Sequence, residues 1–517
     1  MKKLYLSVIA LVLLQVCDAF KILVVFPLPG KSHNILGEGY VRHLLNAGHE
    51  VTYITPYPKK NPHKNLTQID VSDNMKGIPT DLLSIQSIMD KKVDFDDTDM
   101  LFHFFTHIAE LTTKNENVIK LINDPKQQFD VAITEWMFSE LYAGFAPIFN
   151  CPLIWSSSMA PHWMVTRLID EYTNPAIVPD SQTANFPPFT FTQRLQELWI
   201  QVSTTFKKIT IYDKMEENTY NTRIAPVIAK KGRPVPTFDE VKFNASLLIA
   251  NTHVSLGQAM TLPQNCITIG GYHIDDVVQP LPKDLQKIMD DSKHGVIYFS
   301  MGSNLQASKI PGELKKGFIK MFGELKQTVL WKFEENLPGT PANVHILHWA
   351  PQQSILSHPN CILFITHGGY LSTTETVHFG VPIIGIPVFA DQFTNVERAV
   401  SMGFAQRVDL AYDMVDKLKA AIGEVVRNPG YKQKVEELSR IYHDRPISPG
   451  KELVHWVEHV VRTGGAPHLR SPALMLPWYQ KMYLDLLALI FVGLVVLGII
   501  VKRLFVSSKK IVKQKTK

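Results

Sequence analysis

The stretch HILHWAPQQSILSHPNCILFITHGGYLSTTETVHFGVPIIGIPVFADQ, residues 345–392, decides the fold. At its centre Cys361-Ile-Leu-Phe-Ile-Thr366 is a continuous apolar, β-rich run, the pattern of a strand buried on both faces of a parallel sheet. His367-Gly368-Gly369 follows at once, and a helical pattern runs from Tyr370 to about His378. Strand, glycine turn and helix together are how an open α/β sheet aims backbone N–H groups and the positive end of a helix at an anion. The glycines allow close approach to the backbone, and His367 adds a side-chain donor. A second strand, Ile383 to Pro387, leads to Asp391-Gln392 at its C-terminal end. Ligands of such sheets bind outside the carboxyl ends of the strands, so these polar residues share one rim. The reading is a site for a phosphate-bearing ligand.

Working outward, 517 residues with 45% apolar content allow two or three domains with cores of their own. The formal net charge of +5 is unevenly spread. Lys502, Arg503, Lys509, Lys510, Lys513, Lys515 and Lys517 fall in a tail without a single acid, which leaves the body mildly acidic. That distribution argues against a nucleic-acid partner. Residues 1–19 carry the charged start, short apolar core and small-residue end of a signal peptide. Leu484 to Val501 is apolar except for Asp485, and eighteen helical residues reach ~27 Å, about one hydrocarbon core. The basic residues that follow place the tail in the cytosol and the body in the lumen, a single-pass type I protein. Lysines third and fifth from the end have the pattern of a retrieval signal to the endoplasmic reticulum. Asn65 and Asn244 open glycosylation sequons that a lumenal body exposes to modification. Beyond Cys17, three cysteines without metal spacing imply neither a zinc site nor a disulfide framework.

The body opens with strand Lys21–Phe26, a loop from Pro27 to Asn34 holding His33, a helix from about Ile35 to Ala47, and strand Glu50–Thr55. This is a βαβ unit with its loop at a strand's C-terminal end. Gly37 and Gly39 lack the placement of a dinucleotide fingerprint. Residues 80–125 read as helical, Phe129–Thr134 and Pro152–Ser156 as strands, and Ser246–Ala250 with Ile267–Gly271 close the first half. Residues 160–225 read as irregular, apart from an amphipathic pattern at Gln193–Val202 whose Leu195, Leu198 and Trp199 suit a core. Gln279–Pro282 reads as a linker. A second half then starts with strand Gly295–Ser300, turns through Ser303, and ends with helices near 411–427, 431–442 and 451–462.

Trp349, Gln352, His367-Gly368-Gly369, Glu375 and Asp391-Gln392, in this order and spacing, resemble the signature of the UDP-glycosyltransferases. The resemblance runs along the whole chain and is closest to the insect branch of the membrane-bound animal enzymes. It implies an α/β fold of two Rossmann-like domains facing a cleft, the glycosyltransferase B architecture, with one C-terminal transmembrane helix. The corresponding division is an acceptor-binding domain at 20–278, a UDP-sugar-binding domain at 279–450, a returning helix and membrane-proximal segment at 451–483, the span at 484–501 and the tail at 502–517. By the same resemblance Trp349 stacks on uracil, Gln352 reads its edge, Glu375 accepts from the ribose, and Ser303, His367, Gly368, Gly369 and Ser372 hold the diphosphate. Asp391 and Gln392 read the sugar. Relatives often carry Asn where this chain has Leu371, which cannot assist a phosphate.

His33 follows the first strand, faces the expected cleft and titrates in the range useful to a general base. A base of this kind needs an acid to orient it. Relatives place Asp at the end of the strand FDVAIT, whereas this chain has Glu135, one methylene longer. Nothing in the sequence pairs carboxylates for a metal, and no cofactor beyond the UDP-sugar co-substrate is implied. The expected activity is inverting transfer of a hexose, glucose before others, to a small lipophilic acceptor at the endoplasmic reticulum membrane. The competing reading is a catalytically silent UDP-sugar-binding protein of the same fold, and a homo-oligomer is compatible with either.

Overall fold

The structure is a computed structural model that describes residues 19–78, 84–90, 98–181, 183, 185–257, 259–302 and 307–515. The expected signal peptide, Ser303 and the last two residues lie outside the described residues. Among the described residues, thirteen strands form two parallel sheets. The first sheet comprises β1 (Lys21–Val25), β2 (Glu50–Thr55), β3 (Leu66–Asp70), β4 (Val131–Trp136), β5 (Leu153–Ser157), β6 (Ala245–Ala250) and β7 (Cys266–Thr268), in the order β3-β2-β1-β4-β5-β6-β7. The second comprises β8 (Val296–Ser300), β9 (Thr328–Lys332), β10 (Val344–Leu347), β11 (Cys361–Thr366), β12 (Ile383–Gly385) and β13 (Ala405–Arg407), in the order β10-β9-β8-β11-β12-β13.

Each sheet reverses its winding beside its first strand, and the crevice at such a reversal is where open α/β sheets bind ligands. In the first sheet the reversal lies between β1 and β4, paired Val24 to Ile133 and Val25 to Thr134. In the second it lies between β8 and β11, paired Phe299 to Ile365 and Ser300 to Thr366. Both sheets are covered on both faces. Leu23, Val25 and Ala132 enter one core, while Ile22, Val24, Val131 and Ile133 enter another with Leu36, Tyr40 and Leu44 of the Lys31–Asn46 helix. Leu453, Val457 and Val460 of the Pro449–Arg462 helix join that second core, so the chain's last body helix returns to the first sheet.

Two expectations are corrected and one strand is added. The first helix starts at Lys31 rather than Ile35, because Gly30 in extended conformation serves as its N-cap and the polar Lys-Ser-His-Asn run forms its first turn. Leu66–Asp70 is a strand that its polar, half-buried pattern concealed. Residues 191–230 are not irregular. The helix Phe191–Lys207, closed by a Thr190–Gln193 capping box, continues through two π turns and two shorter helices to Lys230.

That rod is inverted. Phe191, Leu195, Leu198, Trp199, Val202 and Phe206 are each at least 48% exposed, so Leu195, Leu198 and Trp199 are not core residues. The buried face of its first helix is polar instead, while further along Tyr212, Tyr220, Ile224 and Ile228 enter the first core. Glu197 accepts from the Asp180 N–H and the Thr183 hydroxyl, both at 2.7 Å. The Lys208 ammonium lies 2.5 Å from Glu140 and 2.9 Å from Asp213. Arg167 reaches Glu140 at 2.9 Å and Lys242 reaches Asp213 at 2.8 Å, so the buried charges are mutually compensated. The Leu484–Lys515 helix belongs to a second compact unit, from Arg470 onward, and its residues Leu484–Val506 are long and apolar enough to cross a membrane.

Gly37 is a packing residue, since a Cβ there would overlap the Tyr53 hydroxyl and the Phe26 ring. That hydroxyl donates to Asn34 Oδ1 at 3.1 Å and steadies the first helical turn. Overpacking of this kind costs ~1–3 kcal/mol. Gly37→Val is therefore expected to lower the thermal midpoint of the full chain in detergent, while Gly312→Ala, with open space around its Cβ and no positive φ, leaves it within about a degree or two.

Candidate active site

The two winding reversals face one cavity of about 1460 Å³, lined by both halves of the body. From the first half come His33, Ile35, Leu36, Phe104, Phe105, Met137, Phe138, Met159 and His273, and from the second Trp349, Gln352, His367, Gly369, Ser372, Glu375, Asp391 and Gln392.

His33 stands in the first turn of the Lys31–Asn46 helix. On β4 the odd residues Val131 and Ile133 pack under that helix, so Glu135 projects from the same face and meets the imidazole. Glu135 Oε1 lies 2.5 Å from His33 Nδ1, with the carboxylate 2% and the imidazole 17% exposed. The extra methylene of Glu is thus no obstacle to the contact. Burial depresses the His33 pKa, but the charge and hydrogen bond of Glu135, with Asp391 across the cavity, outweigh it and hold the pKa above 6.5. Asp130, at the start of β4, instead accepts from the Lys21 N–H at 2.7 Å.

In the second half Gln352 Nε2 donates to Glu375 at 2.5 Å and to Ser372 Oγ at 3.2 Å, and the Tyr298 hydroxyl donates to Gln352 Oε1 at 3.3 Å. Gln353, which sequence reading passed over, donates to the other Glu375 oxygen at 3.3 Å. Ser372 and Glu375 lie three apart on the Tyr370–Phe379 helix and so share a face. Trp349 is 59% exposed, with the Lys31 ammonium of the first half 4.6 Å from its ring centroid.

His367 lies between two glycines, for a Cβ at Gly302 or at Gly369 would strike its ring. Burial, with the nearby Lys332 charge, pushes its pKa down to about 4. At neutral pH it therefore offers a hydrogen bond and no positive charge. Gly368 does not line the cavity. With φ at +81° it makes the turn, its N–H donates to Thr366 Oγ1 at 3.3 Å, and its carbonyl accepts from Asn395 at 3.1 Å. Asn395 also holds Asp391, at 2.9 Å, whose carboxyl burial pushes up. Gln392 Oε1 accepts from the N–H groups of Val388 and Phe389 at 2.9 and 3.2 Å, leaving only its NH₂ group for other partners. Leu371 packs against the first half's core rather than standing in for a polar residue.

Lys332 was a missed cavity residue with a readable signal, a lone lysine closing an apolar strand. It is paired with Glu334 at 2.7 Å. Away from the cavity, Glu140, Asp213 and Glu216 bring carboxylate oxygens within 4.8 Å of one another, but the Lys208 ammonium bonds two of them and takes the place of a metal cation.

The family model described as "UDP-glucoronosyl and UDP-glucosyl transferase" matches residues 21–517. UDP-glucosyltransferase 2 of Dactylopius coccus is 36% identical over 499 residues, covering 95% of this chain and 93% of that one. UDP-glucuronosyltransferase 2B7 of Homo sapiens is 31% identical over 383 residues, covering 73% of this chain and 69% of that one. Among solved structures, the calicheamicin glycosyltransferase CalG4 matches with a TM-score of 0.56 at 14% identity, over 86% of this chain and 99% of that one, a likeness of fold alone. With two facing parallel sheets and a family match that runs from β1 to the last residue, the chain is a member of the UDP-glucuronosyl and UDP-glucosyl transferase family with the glycosyltransferase B fold.

Proposed function

We propose that the chain transfers glucose from UDP-glucose, with inversion, to a hydroxyl of a small lipophilic acceptor, with His33 as general base and Glu135 orienting it. The observation that carries this reading is the 2.5 Å His33–Glu135 contact at the wall of a cavity shared by both halves. The acceptor rests among Phe104, Phe105, Met137, Phe138 and Met159, with its hydroxyl toward His33 Nε2. That nitrogen takes the proton as the hydroxyl oxygen attacks the anomeric carbon. Glu135 on Nδ1 fixes the tautomer and stabilises the imidazolium. The bond from the anomeric carbon to the diphosphate oxygen breaks on the opposite face, and UDP leaves with the electron pair. The N-terminus of the Tyr370–Phe379 helix and the neutral His367 donate to the departing oxygens, a task that Ser303 and Ser372 share and that needs no divalent metal. Trp349, Gln352 and Glu375 hold the nucleoside, and Asp391 and Gln392 the sugar.

Two observations support glucose over glucuronate. Among the described residues, each lysine or arginine lining the cavity has a carboxylate partner: Arg42 with Asp275, Lys59 with Glu38 and Lys332 with Glu334. A sugar carboxylate therefore meets no unpaired cation among those lining residues, Lys31 over the Trp349 ring lying outside them. The second support is that the Dactylopius coccus glucosyltransferase, at 36% identity, is more similar to this chain than the human glucuronosyltransferase, at 31%. We place the body in the lumen of the endoplasmic reticulum, held by the Leu484–Val506 helix, from the basic residues beyond that helix.

The test is UDP release by the full chain in detergent with UDP-glucose or UDP-glucuronate across a panel of phenols and lipophilic alcohols. Acceptor-dependent release with UDP-glucose, undiminished by EDTA, is expected. UDP binding without release from any acceptor would instead support a silent binding protein. His33→Ala should lower the rate ~10²–10⁴-fold with UDP affinity intact. Because the base acts when neutral and its pKa is raised, the rate should climb with pH through a midpoint above 6.5. Glu135→Gln removes the charge that raises it, so the midpoint should move to lower pH while the plateau falls.

A further inference from the structure

The segment Gly270-Gly271-Tyr272-His273 leaves β7 and enters the connection to the second half. Its backbone is pinned on both sides of His273. The Arg42 guanidinium donates to the carbonyls of Tyr272 and Ile274 at 2.9 and 3.1 Å, and His43 Nε2 donates to that of Tyr272 at 2.8 Å. The Asp275 N–H donates to Gln353 Oε1 at 3.1 Å. The His273 side chain is fully buried, yet among the described residues neither of its ring nitrogens has a hydrogen-bond partner. Buried polar groups are hydrogen-bonded as a rule, and an imidazole held this firmly without a partner needs a reason. The ring borders the shared cavity, and its Nε2 stands 3.5 Å from Glu375 Oε1 without the alignment of a hydrogen bond.

We propose that His273 binds the nucleoside diphosphate from the first half, taking one hydroxyl of the ribose diol while Glu375 takes the other. A carboxylate only accepts, and each Glu375 oxygen already accepts from a glutamine amide, one from Gln352 and the other from Gln353, which leaves less of it for a diol. The His273 imidazole offers a bare ring nitrogen to the second hydroxyl, and its ring N–H is left for an oxygen of Glu375 or the ligand. The nucleotide then bridges the two halves through its sugar. This inference rests on the reading of Glu375 as a ribose contact.

The experiment measures binding of UDP, 2′-deoxy-UDP and 3′-deoxy-UDP by calorimetry, with the full chain in detergent, for the unmodified protein and for His273→Ala, His273→Phe and Glu375→Gln. The unmodified protein should prefer UDP over at least one deoxy analogue by ~10-fold, one hydrogen bond's worth. His273→Ala should weaken UDP by a similar factor and erase that preference while leaving the affinity for that analogue unchanged. His273→Phe keeps the ring and removes the nitrogens, so it gives the same reading if the alanine variant does not fold. A residue that merely packs would lower the thermal midpoint and leave the UDP-to-deoxy ratio alone, and that ratio unchanged in the phenylalanine variant overturns the inference. Failure of the underlying reading looks different: the unmodified protein binds no UDP, or Glu375→Gln binds it as well as the unmodified protein does.

Discussion

Glu135 leaves β4 on the face that the Lys31–Asn46 helix covers, and the candidate site depends on that parity. One residue earlier or later, a carboxylate would point into the opposite core. In place, it sits 2% exposed against an imidazole that is itself tethered in the first helical turn. A buried carboxylate requires a partner close by. The helix start, the register of β1 against β4 and the Gly37 contact with Tyr53 all serve to supply one.

The second sheet solves a different problem. Its polar groups bind one another before they bind anything else: Gln352, Gln353, Ser372 and Glu375 form one set, and Asp391, Asn395 and the Gly368 carbonyl another. Such preorganisation means that a ligand meets groups already aimed, with little side-chain entropy left to lose. His367, kept neutral by burial, contributes direction rather than charge.

The fold was readable wherever burial made the pattern simple. Cys361–Thr366 and Val296–Ser300 are apolar on every residue but the last, and sequence alone located them as central strands. The signature residues were listed through the family resemblance, and of them only His367-Gly368-Gly369 directly follow one of those strands. What escaped was tertiary. Gln353 differs from Gln352 only in what packs beside it. His273 lies in a glycine-rich connection whose importance appears once Arg42 and His43, 230 residues earlier in the chain, are seen to hold it. The rod at 191–230 defeated periodicity for a sharper reason: it has a helical apolar stripe, but that stripe faces outward and the charges face in.

The inverted rod also bears on how the protein can be handled. Removing the terminal helix is the customary way to make an anchored enzyme soluble, yet here it takes away one apolar surface and leaves another. Phe191, Leu198, Trp199 and Phe206 lie on a helix whose inner face is fastened by the Glu197 hydrogen bonds and, just past its end, by the Lys208 ion pairs, so the stripe is held outward. Trimmed forms thus retain a sticky ridge. Polar replacement along that ridge, rather than further shortening, is the route to a monodisperse body, because the residues to be changed are about half or more exposed.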